Sequence, residues 1–136
     1  MNANYKHSEI TGVILNAFYS VYNKLGYGFL EKVYERSMMI ELRKQGLSCI
    51  SQSRVNVYYE DEEVGDYFAD IIVNNAVIIE VKACSGLCED HEAQLTNYLK
   101  ASEIEVGLLI NFGEKPQFKR KVFSSEYKSH RRSSES

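Results

Sequence analysis

Three charged residues interrupt apolar stretches in the middle of the chain. Asp70 lies within Ala69-Asp70-Ile71-Ile72-Val73, and Glu80 and Lys82 lie within Ile78-Ile79-Glu80-Val81-Lys82. A charge inside an apolar strand costs several kcal/mol unless it is paired or holds a cation. Glu80 and Lys82 are two apart, so in a strand both leave the same face. Asp70 joins them only in one hairpin register. Placing it opposite Glu80 requires Val73 opposite Val77 and a three-residue loop, Asn74-Asn75-Ala76, whereas a two-residue loop sends the carboxylates to opposite faces. Asparagine tolerates the left-handed backbone that such loops need near the end of the turn, so the three-residue loop is the register expected.

In that register two carboxylates and one ammonium converge. Carboxylate oxygens suit magnesium or manganese. Such an ion polarises a phosphate and lowers the pKa of a bound water, while Lys82 orients that water or steadies developing negative charge. Spacing alone leaves a competing reading open, a structural ion pair between Lys82 and Glu80 or Asp70.

The surrounding elements follow from periodicity. After Ser8, a candidate N-cap, apolar residues recur in steps of three and four through Ile10, Val13, Ile14, Ala17, Phe18, Val21, Tyr22 and Leu25, which predicts an amphipathic helix ended by Gly26. A second helix is predicted with Leu30, Val33, Tyr34, Met38 and Leu42 on one side and Gly46 as its stop. Val55, Val57 and Tyr59 alternate as in a half-buried strand, and Glu60 to Glu63 read as a solvated turn. Strands are expected over Tyr67–Val73 and Val77–Lys82, and a polar helix from an Asp90 cap to about Ser102. Val106–Asn111 is continuously apolar, as in a central strand covered on both faces, and Lys119–Phe123 is a candidate last strand. The order ααβββαβ(β) predicts an α/β (α+β) fold, a central mixed sheet flanked by helices.

Length and composition agree with one domain over residues 1–128, followed by a disordered tail at 129–136. The chain has 136 residues, is 44% hydrophobic and 26% charged, and carries a formal charge of −3. No apolar run is long enough to span a bilayer, and the N-terminus shows no secretory pattern, so the expected compartment is the cytoplasm. Three cysteines are an odd count that argues against a disulfide framework. Cys84-x3-Cys88-x2-His91 lacks the second ligand pair of a structural zinc site and is read as small, half-buried thiols. Between Lys115 and Arg132 seven basic residues face a single acid, Glu126, which is either solubilising charge or a phosphate contact.

Asp70 followed ten residues later by Glu80-x-Lys82 resembles the motif of the PD-(D/E)XK nuclease superfamily, whose fold is the restriction-endonuclease-like core. Gln94-Leu95-Thr96-Asn97-Tyr98 is similar to the Gln-x-x-x-Tyr helix of the RecB-like branch. Gly28-Phe29-Leu30-Glu31-Lys32-Val33-Tyr34 resembles the pattern that names the GxxExxY protein family, a bacterial and archaeal group in that superfamily. Gly107 to Gly113 and Lys119-Arg120 are similar to that family's C-terminal half, so the resemblance runs from about Ser8 to Phe123.

The resemblance implies Asp70 and Glu80 as metal ligands, with the Val81 carbonyl and Glu31 completing the set and Mg2+ or Mn2+ as the cofactor. It implies Lys82 as water-orienting base or electrostatic stabiliser, with Gln94 and Tyr98 supporting Lys82 or contacting the substrate backbone from the helix face that His91 shares. Tyr34, Lys119 and Arg120 are candidate nucleic-acid contacts, although Tyr34 also suits the core with its hydroxyl bonded at the rim. Glu31 alone would read as a helix-start carboxylate. The family often has a basic residue two before the aspartate, where this chain has Phe68.

The expected activity is metal-dependent hydrolysis of nucleic acid, DNA before RNA. The alternative is a catalytically silent nuclease-fold module that binds nucleic acid or a protein partner. A homodimer is a further expected option; no membrane and no organic cofactor are expected.

Overall fold

The three-and-four spacing after Ser8 forms helix α1 (Ser8–Leu25), which buries Thr11, Ile14, Ala17, Phe18 and Val21. The cap is His7 in left-handed backbone rather than Ser8. The computed structural model describes residues 6–128, so the predicted disordered tail at 129–136 lies outside the described residues. The remaining elements are α2 (Glu31–Lys44), β1 (Cys49–Tyr59), β2 (Glu62–Val73), β3 (Val77–Lys82), α3 (Glu89–Ala101), β4 (Val106–Phe112) and β5 (Pro116–Val122). Among the described residues no helix is long and apolar enough to cross a membrane.

The sheet runs in chain order, β1 to β5, and is mixed: β3 and β4 pair in parallel and every other neighbouring pair is antiparallel. A parallel pair needs a crossover, and α3 supplies it. Every residue of β4 is buried, as its unbroken apolar sequence predicts. Helices α1 and α2 pack on one face, over Ile71, Val73, Ile79, Val81, Leu108 and Phe112 among others. Helix α3 packs on the other, placing Leu95 and Leu99 over Ile72, Ile78 and Leu109. The architecture is the α+β, two-faced mixed sheet expected of a restriction-endonuclease-like core.

Several boundaries moved for local reasons. Strand β1 starts six residues before Val55 because a polar edge strand needs only one hydrogen-bonded neighbour. The acidic turn shrinks to Glu60-Asp61, both left-handed at φ 49° and 68°, while Glu62 and Glu63 pair with Tyr59 and Tyr58. That is the two-residue hairpin geometry favoured by strand twist. Helix α3 is capped by Cys88 rather than Asp90, and His91 Nδ1 accepts the Cys88 N–H at 3.3 Å.

Helix α2 differs most from expectation. Leu30 is 81% and Val33 38% exposed, whereas Glu35 and Met39 join Tyr34, Met38 and Leu42 in the buried set. Tyr34 stacks on Phe112 with ring centroids 4.1 Å apart, and Phe18 meets the same ring edge-on at 4.9 Å. These aromatics fix α1 and α2 against the end of β4.

Close contacts also fasten the segment after β3. Asn111, fully buried in β4, accepts the Cys84 N–H and donates to the Cys84 carbonyl, both at 2.9 Å. A Cβ on Gly113 would lie 2.6 Å from that same carbonyl oxygen, whereas one on Gly86 meets nothing closer than 4.0 Å. Gly113→Ala is therefore expected to cost about 1–3 kcal/mol, seen as a lowered urea midpoint, with Gly86→Ala as the near-neutral control.

Candidate active site

Strands β2 and β3 pair Val73 with Val77, Ile72 with Ile78 and Ile71 with Ile79. That is the register which points Asp70 toward Glu80. Both loop asparagines are left-handed, at φ 50° and 53°, and Ala76 N–H closes the turn on Val73 O at 2.9 Å, so the left-handed residues lead the loop instead of ending it.

Beyond Ile71 the ladder stops. Ile71 belongs to the α1/α2 side of the core and Ala69 to the α3 side, although residues two apart in a strand normally share a face. Strand β2 therefore turns over at Asp70 and parts from β3. In the resulting fork each carboxylate takes an amide from the other strand: Asp70 N–H donates to Glu80 Oε2 at 3.0 Å, and Val81 N–H donates to Asp70 Oδ2 at 2.8 Å. The acids occupy hydrogen-bonding positions that a continued ladder would have used.

This placement concentrates negative charge in a desolvated corner. Glu80 is 5% exposed; burial, and then the Asp70 charge, push its pKa up to about 8. Burial also raises Asp70, and the charges of Glu35 and Glu31 add to it. Lys82 counteracts the rise at Glu80 through space, yet among the described residues it forms no ion pair with Glu80 or Asp70. The structural ion pair left open by spacing is not what forms.

One residue missing from the sequence reading belongs to this corner. Glu35 is 5% exposed, one helical turn beyond Glu31, and its charge acts on both Asp70 and Glu80. Its Oε1 accepts Gln52 Nε2 at 2.6 Å and its Oε2 faces Lys32 Nζ at 3.2 Å. The signal was present: Glu35, Met39 and Leu42 follow helical spacing just as Tyr34, Met38 and Leu42 do, so a carboxylate stood in a buried row.

The other predicted residues divide into two groups. Tyr98 is half-buried and its hydroxyl bonds Gln94; burial, and then the Glu80 and Asp70 charges, raise its pKa. Its ring stacks on Tyr67 at 3.6 Å, and the Tyr67 hydroxyl donates to the Tyr98 carbonyl at 2.9 Å. Tyr98 thus lies near the carboxylates, and Gln94 is bonded to its hydroxyl. Glu31 is exposed in the first turn of α2, near enough to influence Asp70, but among the described residues no three His, Cys, Asp or Glu side chains form a ready metal cage.

Tyr34, a candidate nucleic-acid contact, is placed in the core, as its alternative reading had it. It is fully buried, its hydroxyl donates to Gly26 O at 2.8 Å and accepts Phe29 N–H at 3.2 Å, and it rivets the loop before α2 to the core. Lys119 and Arg120 alternate across β5 and are not brought to the carboxylates. Lys119 lies by Glu92 at the start of α3, and the Arg120 guanidinium donates to Lys6 O on the other side. Basic residues beside the site come instead from α2: Lys32, Arg36 and Arg43 line a cavity of about 340 Å³ that also includes Glu35 and Ser51.

The donor set fits a hard divalent cation. It is all oxygen, Glu80 is buried and Asp70 half-buried, and among the described residues neither acid has an ion-paired counter-cation within the fork. Asp70 and Glu80 would hold the ion, with Val81 lying between Glu80 and Lys82 in β3.

A two-faced mixed sheet flanked by helices is consistent with a restriction-endonuclease-like core. The chain belongs to the PD-(D/E)XK nuclease superfamily, whose family model matches residues 8–121. Among solved structures it is similar in fold to the crystal structure of SSO0001, at 16% identity and a TM-score of 0.54. The alignment covers 67% of this chain and 48% of that one, so the chain spans about half the length of SSO0001. No curated protein matches the chain.

The charge in the fork sets a pH dependence for the metal-free protein. A carboxyl raised from 4.5 unfolded to about 8 folded favours the fold at low pH, and its contribution is lost as the pH climbs through that interval. Metal-free protein is expected to lose stability between pH 5 and 8 in thermal melts, and Glu80→Gln should flatten that profile.

Proposed function

We propose that this chain is a metal-dependent phosphodiesterase acting on nucleic acid, DNA before RNA, and that within the superfamily it stands with the GxxExxY group of the RecB-like branch. The observation that carries the reading is the reciprocal bonding of Asp70 and Glu80 in the β2–β3 fork, which holds two carboxylates together without a lysine salt bridge.

Asp70 and Glu80 serve as ligands of Mg2+ or Mn2+, supplemented by the Val81 carbonyl and, from α2, by Glu31. Bound there, a divalent cation supplies charge neutralisation at the scissile phosphate and a more acidic water. Lys82, anchored by the Asn111 lock just beyond it, orients the attacking water and steadies charge on the phosphate oxygens. Tyr98 and Gln94 border the substrate strand, and the α2 cations Lys32, Arg36 and Arg43 offer phosphate contacts on the other side of the acids. Those contacts answer the objection raised by a net charge of −3, because steering depends on the local field rather than the sum.

Calorimetric titration with Mn2+ tests the site. The wild type is expected to bind and the Asp70→Asn/Glu80→Gln double variant is expected not to, with a repeat in the presence of a short oligonucleotide to supply missing phosphate ligands. Equal binding by both proteins would remove Asp70 and Glu80 as ligands. Lys82→Ala should retain Mn2+ binding and lose cleavage of DNA and RNA substrates by about 100-fold or more; full activity would refute its role.

A further inference from the structure

Gln52 lies in β1, yet its backbone adopts φ 52°, left-handed geometry that an L-residue rarely takes within a strand. The pairs on either side of it are regular, Ser51 with Ile71 and Ser53 with Ala69, so near the site the ladder omits just the position where Gln52 meets Asp70; its other irregularity is the register shift at Val57/Tyr58, far along the strand. The distortion is therefore local to the site and coincides with the place where β2 turns over.

The distortion delivers the side-chain amide. Gln52 Nε2 donates to Glu35 Oε1 at 2.6 Å and, more weakly, to Asp70 Oδ1 at 3.4 Å. One amide nitrogen carries two N–H groups, enough for one on each carboxylate. Without it, the buried Glu35 and the half-buried Asp70 would stand as like charges with no donor between them. A lysine or arginine in the same place would also bridge them, but its positive charge would oppose a divalent cation. A neutral amide joins the two acids without adding a positive charge beside Asp70.

We propose that Gln52 is a positioning residue for the divalent-cation site, a neutral clamp that fixes Asp70 Oδ1 and ties it through Glu35 to helix α2. This rests on the reading of Asp70 and Glu80 as the ligands. Strained backbone persists where surrounding structure over-determines it and is concentrated at functional sites. Groups that orient metal ligands typically change metal affinity by about 10–100-fold when removed.

Two variants separate positioning from mere structure. Gln52→Gly accepts the left-handed backbone freely and removes the amide; relief of strain offsets part of the lost hydrogen bonding, so the metal-free protein is expected to stay folded, with a cooperative thermal melt. Its Mn2+ affinity by calorimetry should fall about 10–100-fold. Gln52→Met keeps the length, retains the strain and lacks donors, and should lose affinity to the same degree. Wild-type affinity in Gln52→Gly, whatever Gln52→Met does, would overturn the proposal and leave the nuclease reading standing. Failure of the folded wild type to bind Mn2+, with and without an oligonucleotide, would overturn both.

Discussion

Two carboxylates cannot be held side by side in a desolvated corner by packing alone, since each repels the other and each has left water behind. Here the backbone holds them. When β2 and β3 part after Ile71 and Ile79, the amides of Asp70 and Val81 lose their ladder partners, and an orphaned buried N–H is itself costly. Each carboxylate satisfies the amide on the opposite strand, so the acids and the fork stabilise one another. Separation of the strands creates the vacancy, and the acids make that separation tolerable.

The rest of the structure keeps the fork from closing or drifting. Three ladder pairs and an asparagine turn fix the β2–β3 register on one side of it. On the other side, β3 is stitched in parallel to β4 from Val77–Val106 to Lys82–Asn111. The Asn111 side chain then binds both backbone groups of Cys84, so the chain leaving Lys82 has little freedom to swing. Packing of α3 through Leu95 and of α1 and α2 through Phe18 and Tyr34 clamps the sheet from both faces. A lysine at the end of so constrained a strand can face a carboxylate site without collapsing into a salt bridge with it.

Much of this was legible in the sequence because it follows from parity and periodicity. The Val73–Val77 register, the element order and the buried central strand rest on spacings of two, three and four. The residues that escaped notice depend on features that spacing does not encode. Gln52 looks like one polar residue in a polar edge strand, because its left-handed backbone arises from the turnover of its neighbour β2. Glu35 was hidden by rotation: assigning Leu30 and Val33 to the buried face of α2 turned that helix too far, and the carboxylate dropped out of the core. Tyr34 shows the converse. Its motif position suggested a nucleic-acid contact, but a ring stacked between Phe112 and the Gly26–Phe29 loop has no surface left to offer.

The same distinction applies to charge. Composition directs attention to the basic C-terminal third, yet on β5 consecutive residues point to opposite faces: Lys121 is paired with Glu92 at 2.6 Å, with Lys119 on the same side, and Arg120 is spent on the carbonyl of Lys6. A helix has no such alternation: Lys32, Arg36 and Arg43, spaced by four and seven, fall on one side of α2 and share a groove with Glu35. Helix α2 therefore presents acid inward, toward Asp70 and Glu80, and base outward along its groove. An anionic chain lying in that groove would meet cations along the helix and reach carboxylates only at its inner edge, where, on the proposed function, a divalent ion would reconcile the two.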